Sequence, residues 1–138
     1  MTLKPKHGIA IMKTAFAFAE CSVSTRLKVG AVIEKEGRIV SCGYNALPVF
    51  LDGCLEGEDG LTLPQVRHAE KSALMGMLRA GISPIGSTLY CTHSCCEFCA
   101  IDVIDAGIKR VVYSLQYRSE EGLDLLRSSG IIVDRLEL

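Results

Sequence analysis

The spacing of hydrophobic residues alternates along the chain between the period of helices and that of strands. Near the N-terminus, Ile9, Met12, Phe16 and Ala19 recur at helical spacing, which predicts an amphipathic first helix. Lysines before this stretch give it a likeness to a secretory leader, but Lys13 puts a charge in the middle of its apolar segment. The pattern therefore favours a helix of the folded domain.

Apolar runs and turn residues predict the remaining elements. Residues 28–35 and 39–45 are rich in β-branched residues and flank a short connection at 37–38, so they predict a β-hairpin. Strands and helices then alternate. The predicted helices are 68–81, 97–107 and 119–130, the last with a Ser119 cap, and the predicted strands are 87–92, 109–114 and 131–136. This order indicates an α/β fold with a mixed sheet covered on both faces.

Length and charge limit the classes of function. A chain of 138 residues fits a single domain, residues 1–138, with one core. The net charge of −1 gives no electrostatic footprint for nucleic acid or anionic lipid, and no segment approaches the ~20 apolar residues of a membrane span. Residues 46–65 contain prolines and glycines without periodicity, so they predict a long loop that borders a functional site.

Cysteine usage suggests a reducing compartment. The chain has seven cysteines, an odd number in a domain large enough to need no disulfide framework. This usage favours metal-binding or catalytic thiols over disulfides. The chain is therefore expected to be cytoplasmic.

Two short motifs lie at the starts of neighbouring predicted helices. One is His68-Ala69-Glu70, and the other contains Cys96 and Cys99. Cysteines three apart at a helix start place both sulfurs on one face, where the helix dipole favours the thiolates that bind zinc. Two thiolates and one imidazole make three protein ligands, the number typical of catalytic zinc, whereas structural zinc has four. The motifs together predict one catalytic zinc ion held by His68, Cys96 and Cys99.

The spacing of His68 and Glu70 restricts how both face a metal. In a regular helix, residues two apart point roughly 200° apart. The pair converges only if His68 lies at or before the first helical residue and Glu70 lies in the first turn, where it is placed to shuttle protons. A lone CxxC also fits a redox pair or half of a structural zinc site, but the combination of motifs is the signature of zinc-dependent deaminases.

Segments along most of the chain resemble the zinc-dependent cytidine deaminase superfamily and, within it, the deoxycytidylate (dCMP) deaminases, including those of bacteriophages. The similar segments are KVGAVI, CGYN, HAEKSAL, STLYCTHSCCEFCA, AGIKRVVYSLQY and GLDLLRSSGIIV. The resemblance implies a three-layer cytidine-deaminase-like fold with a five-stranded mixed sheet. It also implies hydrolysis of dCMP to dUMP and ammonia, with attack at C4 of the pyrimidine and Glu70 as the proton shuttle.

The resemblance also implies residue roles around the substrate. Asn45 matches a sugar-contacting asparagine, Tyr117 matches a pocket tyrosine, and Ser24 and Arg26 precede the first strand where a phosphate-binding loop is plausible. Ala69 is also assigned to substrate binding, and the backbone near Cys95 and Cys96, at a helix N-terminus, would help to hold the pyrimidine and the attacking water. Lys28 and Arg118 are further basic candidates.

The chain departs from the family's pattern near the site. Cys95 replaces the usual proline before the first zinc cysteine, and Ser72 replaces the usual asparagine two residues after the glutamate. These changes motivate the hypothesis that the substrate is a 5-substituted dCMP. Some relatives hold a second zinc ion. The residues available for one here are Cys21, Cys54 and His93, but each fits a buried or surface position as well, so one zinc is expected.

The resemblance leaves other partners and activities open. It suggests a homo-oligomer, a hexamer, with sites near subunit boundaries. Alternative readings are a deaminase of guanine, dCTP, cytidine or a tRNA adenosine, or a non-catalytic zinc-binding relative of the fold. The weak net charge disfavours tRNA. The presence of Glu70 disfavours the non-catalytic relative, because a structural site has no use for a carboxylate beside an open position.

Overall fold

The computed structural model describes residues 3–48, 51–117 and 119–138. Helices and strands alternate after an initial helix and hairpin, as the hydrophobic pattern predicts. The elements are α1 (Pro5–Ala19), β1 (Gly30–Lys35), β2 (Arg38–Tyr44), α2 (Ala69–Ala80), β3 (Thr88–His93), α3 (Glu97–Ala106), β4 (Arg110–Leu115), α4 (Glu121–Ser128) and β5 (Ile132–Arg135).

The strands form one mixed sheet of five strands in the order β2-β1-β3-β4-β5. Strand β1 is antiparallel to both β2 and β3, while β3, β4 and β5 are parallel. The β1–β2 connection is a two-residue turn at Glu36 and Gly37, both with positive φ (53° and 81°), as expected for a tight hairpin. The turn lies one residue before the predicted 37–38 connection.

Helices cover both faces of the sheet. Helix α1 packs on one face in a small core of Ile11, Met12, Ala15, Val32, Tyr90 and Val112. Residues of α2, α3 and α4 join the larger core on the opposite face. These three layers confirm the predicted fold class. Within the described ranges, no helix is both long and apolar enough to cross a membrane.

Helix ends agree with the glycine signals except in α4. Gly81 and Gly107 adopt left-handed conformations at the C-caps of α2 and α3. Helix α4 is shorter than predicted and begins at Glu121. The Ser119 hydroxyl accepts a hydrogen bond from the Glu121 backbone N–H at 3.2 Å, and Gly130 (φ 88°) lies one residue beyond the C-cap.

The carboxyl ends of β3 and β4 lie side by side at one edge of the sheet, where His93 pairs with Leu115. Helix α3 starts four residues after the end of β3, and Gly122 in α4 packs against this start. A Cβ on Gly122 would overlap the carbonyl oxygen of Cys95 and lie 2.8 Å from the carbonyl carbon and oxygen of Cys96. The contact between α4 and the start of α3 therefore requires a glycine.

We expect Gly122→Ala to lower the free energy of unfolding by about 1–3 kcal/mol, because the added methyl group pushes against backbone rather than a flexible side chain. Urea denaturation measures the change. The control is Gly8→Ala in α1, where the added Cβ meets only ordinary contacts at 3.7 and 3.8 Å. This control should be neutral or stabilising by up to about 1 kcal/mol. Equal stability of the Gly122→Ala protein and the wild type would contradict the prediction.

Candidate active site

The start of α2 brings His68 and Glu70 to the same side. His68 is the N-cap, with extended backbone angles (φ −68°, ψ 157°), so its side chain does not follow the helical direction. Glu70 lies in the first turn and is only 4% exposed. His68 before the helix and Glu70 in its first turn is the arrangement predicted from their separation of two residues.

The start of α3 places the two cysteines together. Cys96 is the N-cap, again in an extended conformation, and its Sγ accepts a hydrogen bond from the Cys99 backbone N–H at 3.4 Å. Cys99 lies one turn into the helix and is buried. Both sulfurs therefore lie at a helix N-terminus, where the partial positive charge stabilises thiolates.

These three side chains form a compact donor group. His68 Nδ1 lies 3.5 Å from Cys96 Sγ and 3.2 Å from Cys99 Sγ, and all three donor atoms lie within 4.8 Å of one another. A tetrahedral zinc ion separates a nitrogen and a sulfur ligand by roughly 3.6 Å, given its usual bond lengths. Both the spacing and the N/S chemistry of the donors fit zinc.

Cys21, Cys54 and His93, the residues available for a second zinc, lie outside this donor group. Of the residues that the structure describes, the group that satisfies a metal-donor geometry consists of His68, Cys96 and Cys99. Cys21 and Cys54 are exposed free cysteines.

The donors and Glu70 shift one another's pKa values. Hydrogen bonds from the Cys99 thiol, then from the His68 ring and the Cys99 backbone, lower the pKa of the Cys96 thiol to about 4. The hydrogen bond with Cys96, followed by burial, raises the pKa of Cys99. A hydrogen bond with Cys96 raises the pKa of His68, and burial raises the pKa of the Glu70 carboxyl. A buried carboxyl with a raised pKa is suited to exchanging protons near neutral pH.

The donor group lies at the wall of a cavity of about 510 Å³, within the range of small-molecule sites. Five of the six residues that sequence reasoning assigned to substrate line it, namely Ser24, Arg26, Asn45, Ala69 and Tyr117. Glu70 and His68 line it as well. Arg118 lies outside the described residues.

Ser24 and Asn45 hold the segment before β1 through its backbone. The Asn45 amide accepts a hydrogen bond from the Val29 N–H at 2.9 Å and donates one to the Leu27 carbonyl at 2.8 Å. The Ser24 hydroxyl accepts hydrogen bonds from the N–H groups of Arg26 and Leu27, both at 3.2 Å. Both side chains thereby shape the wall of the cavity that carries Arg26.

Glu56, in the long loop, fixes this segment from outside. Its carboxylate accepts hydrogen bonds from the Ser24 hydroxyl at 3.0 Å and from the Thr25 N–H and hydroxyl, both at 2.8 Å. The Thr25 backbone N–H is the main cause that lowers the pKa of Glu56. From the same loop, Thr62 accepts a hydrogen bond from Arg26 Nη1 at 3.3 Å and lines the cavity. The predicted long loop therefore borders the site.

The side chain of Cys95 does not face the cavity. It is fully buried, absent from the cavity wall, and its thiol interacts with the buried Cys91. The Cys95 side chain therefore lies away from the cavity, and substrate contact by the backbone near Cys95 and Cys96 stays a prediction. The reason is that Cys96 is extended, so neighbouring side chains point to opposite sides and Cys95 enters the core. Ser72, the other departure, is also absent from the cavity wall.

Sequence reasoning missed several residues of the cavity wall. His93, Ser94, Leu115 and Gln116 line it from the ends of β3 and β4. The Ser94 hydroxyl accepts a hydrogen bond from the Tyr117 N–H at 2.6 Å, which joins the two strand ends. Parallel strands end at the same edge of a sheet, where binding sites commonly lie. The residues that follow two predicted parallel strands could therefore have been predicted to line the cavity.

Residues 6–115 match the family described as the cytidine and deoxycytidylate deaminase zinc-binding region. The chain belongs to this family. The candidate zinc donors His68, Cys96 and Cys99 lie within the matched residues.

Individual family members are similar over most of this chain. The deoxycytidylate deaminase of Saccharomyces cerevisiae is 36% identical, covering 95% of this chain and 45% of the yeast protein. That of Enterobacteria phage T4 is 30% identical, covering 89% of this chain and 86% of the phage protein. The crystal structure of dCMP deaminase from the cyanophage S-TIM5 in complex with dCMP and dUMP is 41% identical, with a TM-score of 0.95.

The lengths of these relatives differ. This chain spans less than half of the yeast protein, whereas the match to the cyanophage structure covers 98% of this chain and 100% of that one. The structural match confirms the predicted cytidine-deaminase-like fold.

Proposed function

We propose that this protein is a zinc-dependent deoxycytidylate deaminase that hydrolyses dCMP to dUMP and ammonia. The observation that carries the proposal is the buried Glu70 carboxyl beside the donor group of His68, Cys96 and Cys99, at the wall of a cavity with room for a nucleotide. The structural similarity to a protein crystallised with dCMP and dUMP supports this choice of substrate.

The chain's residues have distinct tasks in this reaction. His68, Cys96 and Cys99 would hold the zinc ion, which would supply Lewis-acid chemistry for the activation of water. Glu70 would accept one proton of the attacking water on a carboxylate oxygen and give it to N3 of the pyrimidine; it would then take the proton of the hydroxyl group now on C4 and deliver it to the departing amine. Burial keeps this carboxyl away from bulk solvent, so the proton stays within the site until ammonia leaves.

Ammonia release from a panel of nucleotides tests the proposal. The zinc-loaded protein should release ammonia from dCMP faster than from deoxycytidine, dCTP, CMP or guanine. Turnover of guanine or deoxycytidine in preference to dCMP would contradict the substrate assignment. Zinc binding without ammonia release from any of these compounds would favour a non-catalytic member of the fold.

Arg26 is proposed to bind the 5′-phosphate, since it is the arginine of the described cavity wall and its guanidinium is held beside the cavity by Thr62. We expect Arg26→Gln to raise KM for dCMP about tenfold or more while KM for deoxycytidine changes little, because a charge-assisted hydrogen bond is lost. Steady-state kinetics with both substrates measures the difference.

The control for Arg26 is Lys28→Gln. Lys28 lies two residues away and forms an exposed ion pair with Glu20 at 3.7 Å, outside the cavity wall. This variant loses the same charge from the same segment and should leave KM for dCMP unchanged. An equal rise of KM in both variants would indicate a general electrostatic effect and would contradict a specific phosphate contact.

A 5-substituted dCMP is a second substrate candidate, motivated by the sequence departures at Cys95 and Ser72, although neither side chain lines the cavity. Turnover of dCMP, 5-methyl-dCMP and 5-hydroxymethyl-dCMP compares the two. Equal or lower activity on both modified forms removes the candidate.

We propose a hexameric homo-oligomer from the family resemblance, and a cytoplasmic location, in the host if a phage encodes the chain, from its cysteine usage. Sedimentation velocity of the zinc-loaded protein tests the assembly. A monomer would contradict it.

A further inference from the structure

His93 is a cavity residue to which the proposed chemistry gives no task. It is the last residue of β3, is half-buried, and lines the cavity. It lies outside the zinc donor group formed by the described residues. An imidazole beside a nucleotide cavity either donates or accepts a hydrogen bond, and which one depends on the position of its proton.

The neighbouring Thr92 settles the position of that proton. Thr92 Oγ1 lies 2.8 Å from His93 Nδ1 and accepts a hydrogen bond from the Gly30 backbone N–H at 3.1 Å. Thr92 is fully buried, so its hydroxyl group cannot donate to bulk water. Among the described residues, the acceptor within hydrogen-bond distance of this hydroxyl is His93 Nδ1. The hydroxyl therefore donates to Nδ1, so the neutral ring carries its own proton on Nε2.

The hydrogen bond from Gly30 is itself fixed by packing. A Cβ on Gly30 would overlap the carbonyl oxygen of Ala15, so α1 and β1 approach each other closely at this point. The Gly30 N–H, the Thr92 hydroxyl and the His93 ring form a chain of hydrogen bonds that runs from the core to the cavity. Burial also lowers the pKa of His93, which favours the neutral ring.

We propose that His93 is a substrate-binding residue whose Nε2–H donates a hydrogen bond to an oxygen atom of the bound nucleotide. The inference rests on the proposed function and adds a neutral donor to the charged Arg26. The oxygen belongs to the 5′-phosphate or to the 3′-hydroxyl of the deoxyribose, both of which accept a hydrogen bond from a neutral N–H. Thr92 is the positioning residue that holds the ring in the donating tautomer.

The tautomer is measured first, by NMR of the full-length, zinc-loaded protein labelled with ¹⁵N-histidine. The chain has three histidines, and His93→Gln assigns the signals of His93. We expect a proton on Nε2 and an unprotonated Nδ1 in the wild type, and loss of this fixed pattern in Thr92→Val but not in Thr92→Ser. A proton on Nδ1 in the wild type overturns the inference without reference to activity.

Binding of the product dUMP, measured by calorimetry, tests the contact. We expect His93→Ala to weaken binding about three- to tenfold, as for the loss of one neutral hydrogen bond. His93→Gln should recover most of the affinity, because its amide N–H extends about as far as Nε2–H. Unchanged affinity of the His93→Ala protein overturns the inference.

Two analogues identify the acceptor oxygen. If the effect of His93→Ala disappears with deoxyuridine, the acceptor is the phosphate, and if it disappears with 2′,3′-dideoxyuridine monophosphate, the acceptor is the 3′-hydroxyl. Persistence of the full effect with both analogues overturns the assignment to the sugar-phosphate. If the wild-type protein neither binds dUMP nor releases ammonia from dCMP, the proposed function and this inference are both overturned. If the wild type binds dUMP and the His93→Ala protein binds it equally well, the inference alone is overturned.

Discussion

Replacement of Glu70 by glutamine is expected to lower kcat for dCMP by about 10³- to 10⁴-fold while the zinc content stays at the wild-type level. Glutamine has nearly the shape of glutamate but accepts no proton, so the variant keeps the packing of this buried position and loses the proton shuttle. The carboxyl is not one of the three metal donors. Ammonia release and metal analysis on the same preparation measure the two effects.

Glu97→Gln is the matched control. Glu97 also lies in the first turn of a helix whose N-cap is a candidate zinc donor, but it is exposed, and a hydrogen bond with Glu121 is the main cause that raises its pKa. Its replacement should change kcat less than about twofold, since an exposed surface position contributes little to the site. Ammonia release by Glu70→Gln at a rate near the wild type would remove Glu70 from the mechanism.

The three candidate zinc donors could be predicted from the sequence because coordination chemistry restricts residue type and spacing together. Cys96 and Cys99, three residues apart, face the same side of α3, and the extended backbone of His68 at the N-cap of α2 lets its ring meet them. Three donor atoms can meet around one metal ion in only a few conformations of the two backbone segments that carry them. Both helix starts consequently lie where the motifs place them.

The direction of Cys95 does not follow from the motif. Its position beside Cys96 suggests the site, whereas the extended backbone at Cys96 turns the Cys95 side chain into the core beside Cys91. Hydrophobic spacing carries no information about such a single residue between a strand and a helix, because neither period applies there.

The parts played by Ser24 and Asn45 depend on distant residues. Short polar side chains near a site bind either a ligand or nearby backbone groups, and both choices fit the same sequence. Here Glu56, 32 residues away from Ser24, accepts a hydrogen bond from the Ser24 hydroxyl group. The Ser24 oxygen in turn accepts hydrogen bonds from backbone N–H groups of its own segment. A contact over this sequence distance becomes visible only in the folded chain.

Replacement of Cys99 by serine is expected to remove most of the zinc and, with it, ammonia release. A serine hydroxyl is a poorer zinc ligand than a thiolate, and the remaining His68 and Cys96 leave only two protein ligands. After dialysis, the metal-to-protein ratio should fall from about one to below about 0.1. The melting temperature should fall to that of the chelator-treated wild type, because zinc stabilises only the folded state that it binds.

Cys91→Ser separates loss of metal from the effect of a hydroxyl in the core. Cys91 is as buried as Cys99 and lies on β3 outside the donor group, so both variants bury a serine but only one removes a ligand. Cys91→Ser should therefore keep its zinc, and chelator should lower its melting temperature as in the wild type. If both variants lost zinc equally, disruption of the core would explain the loss and Cys99 would have no proven part in binding. Loss confined to Cys99→Ser assigns that loss to the missing ligand, since burial is the property that the two positions share.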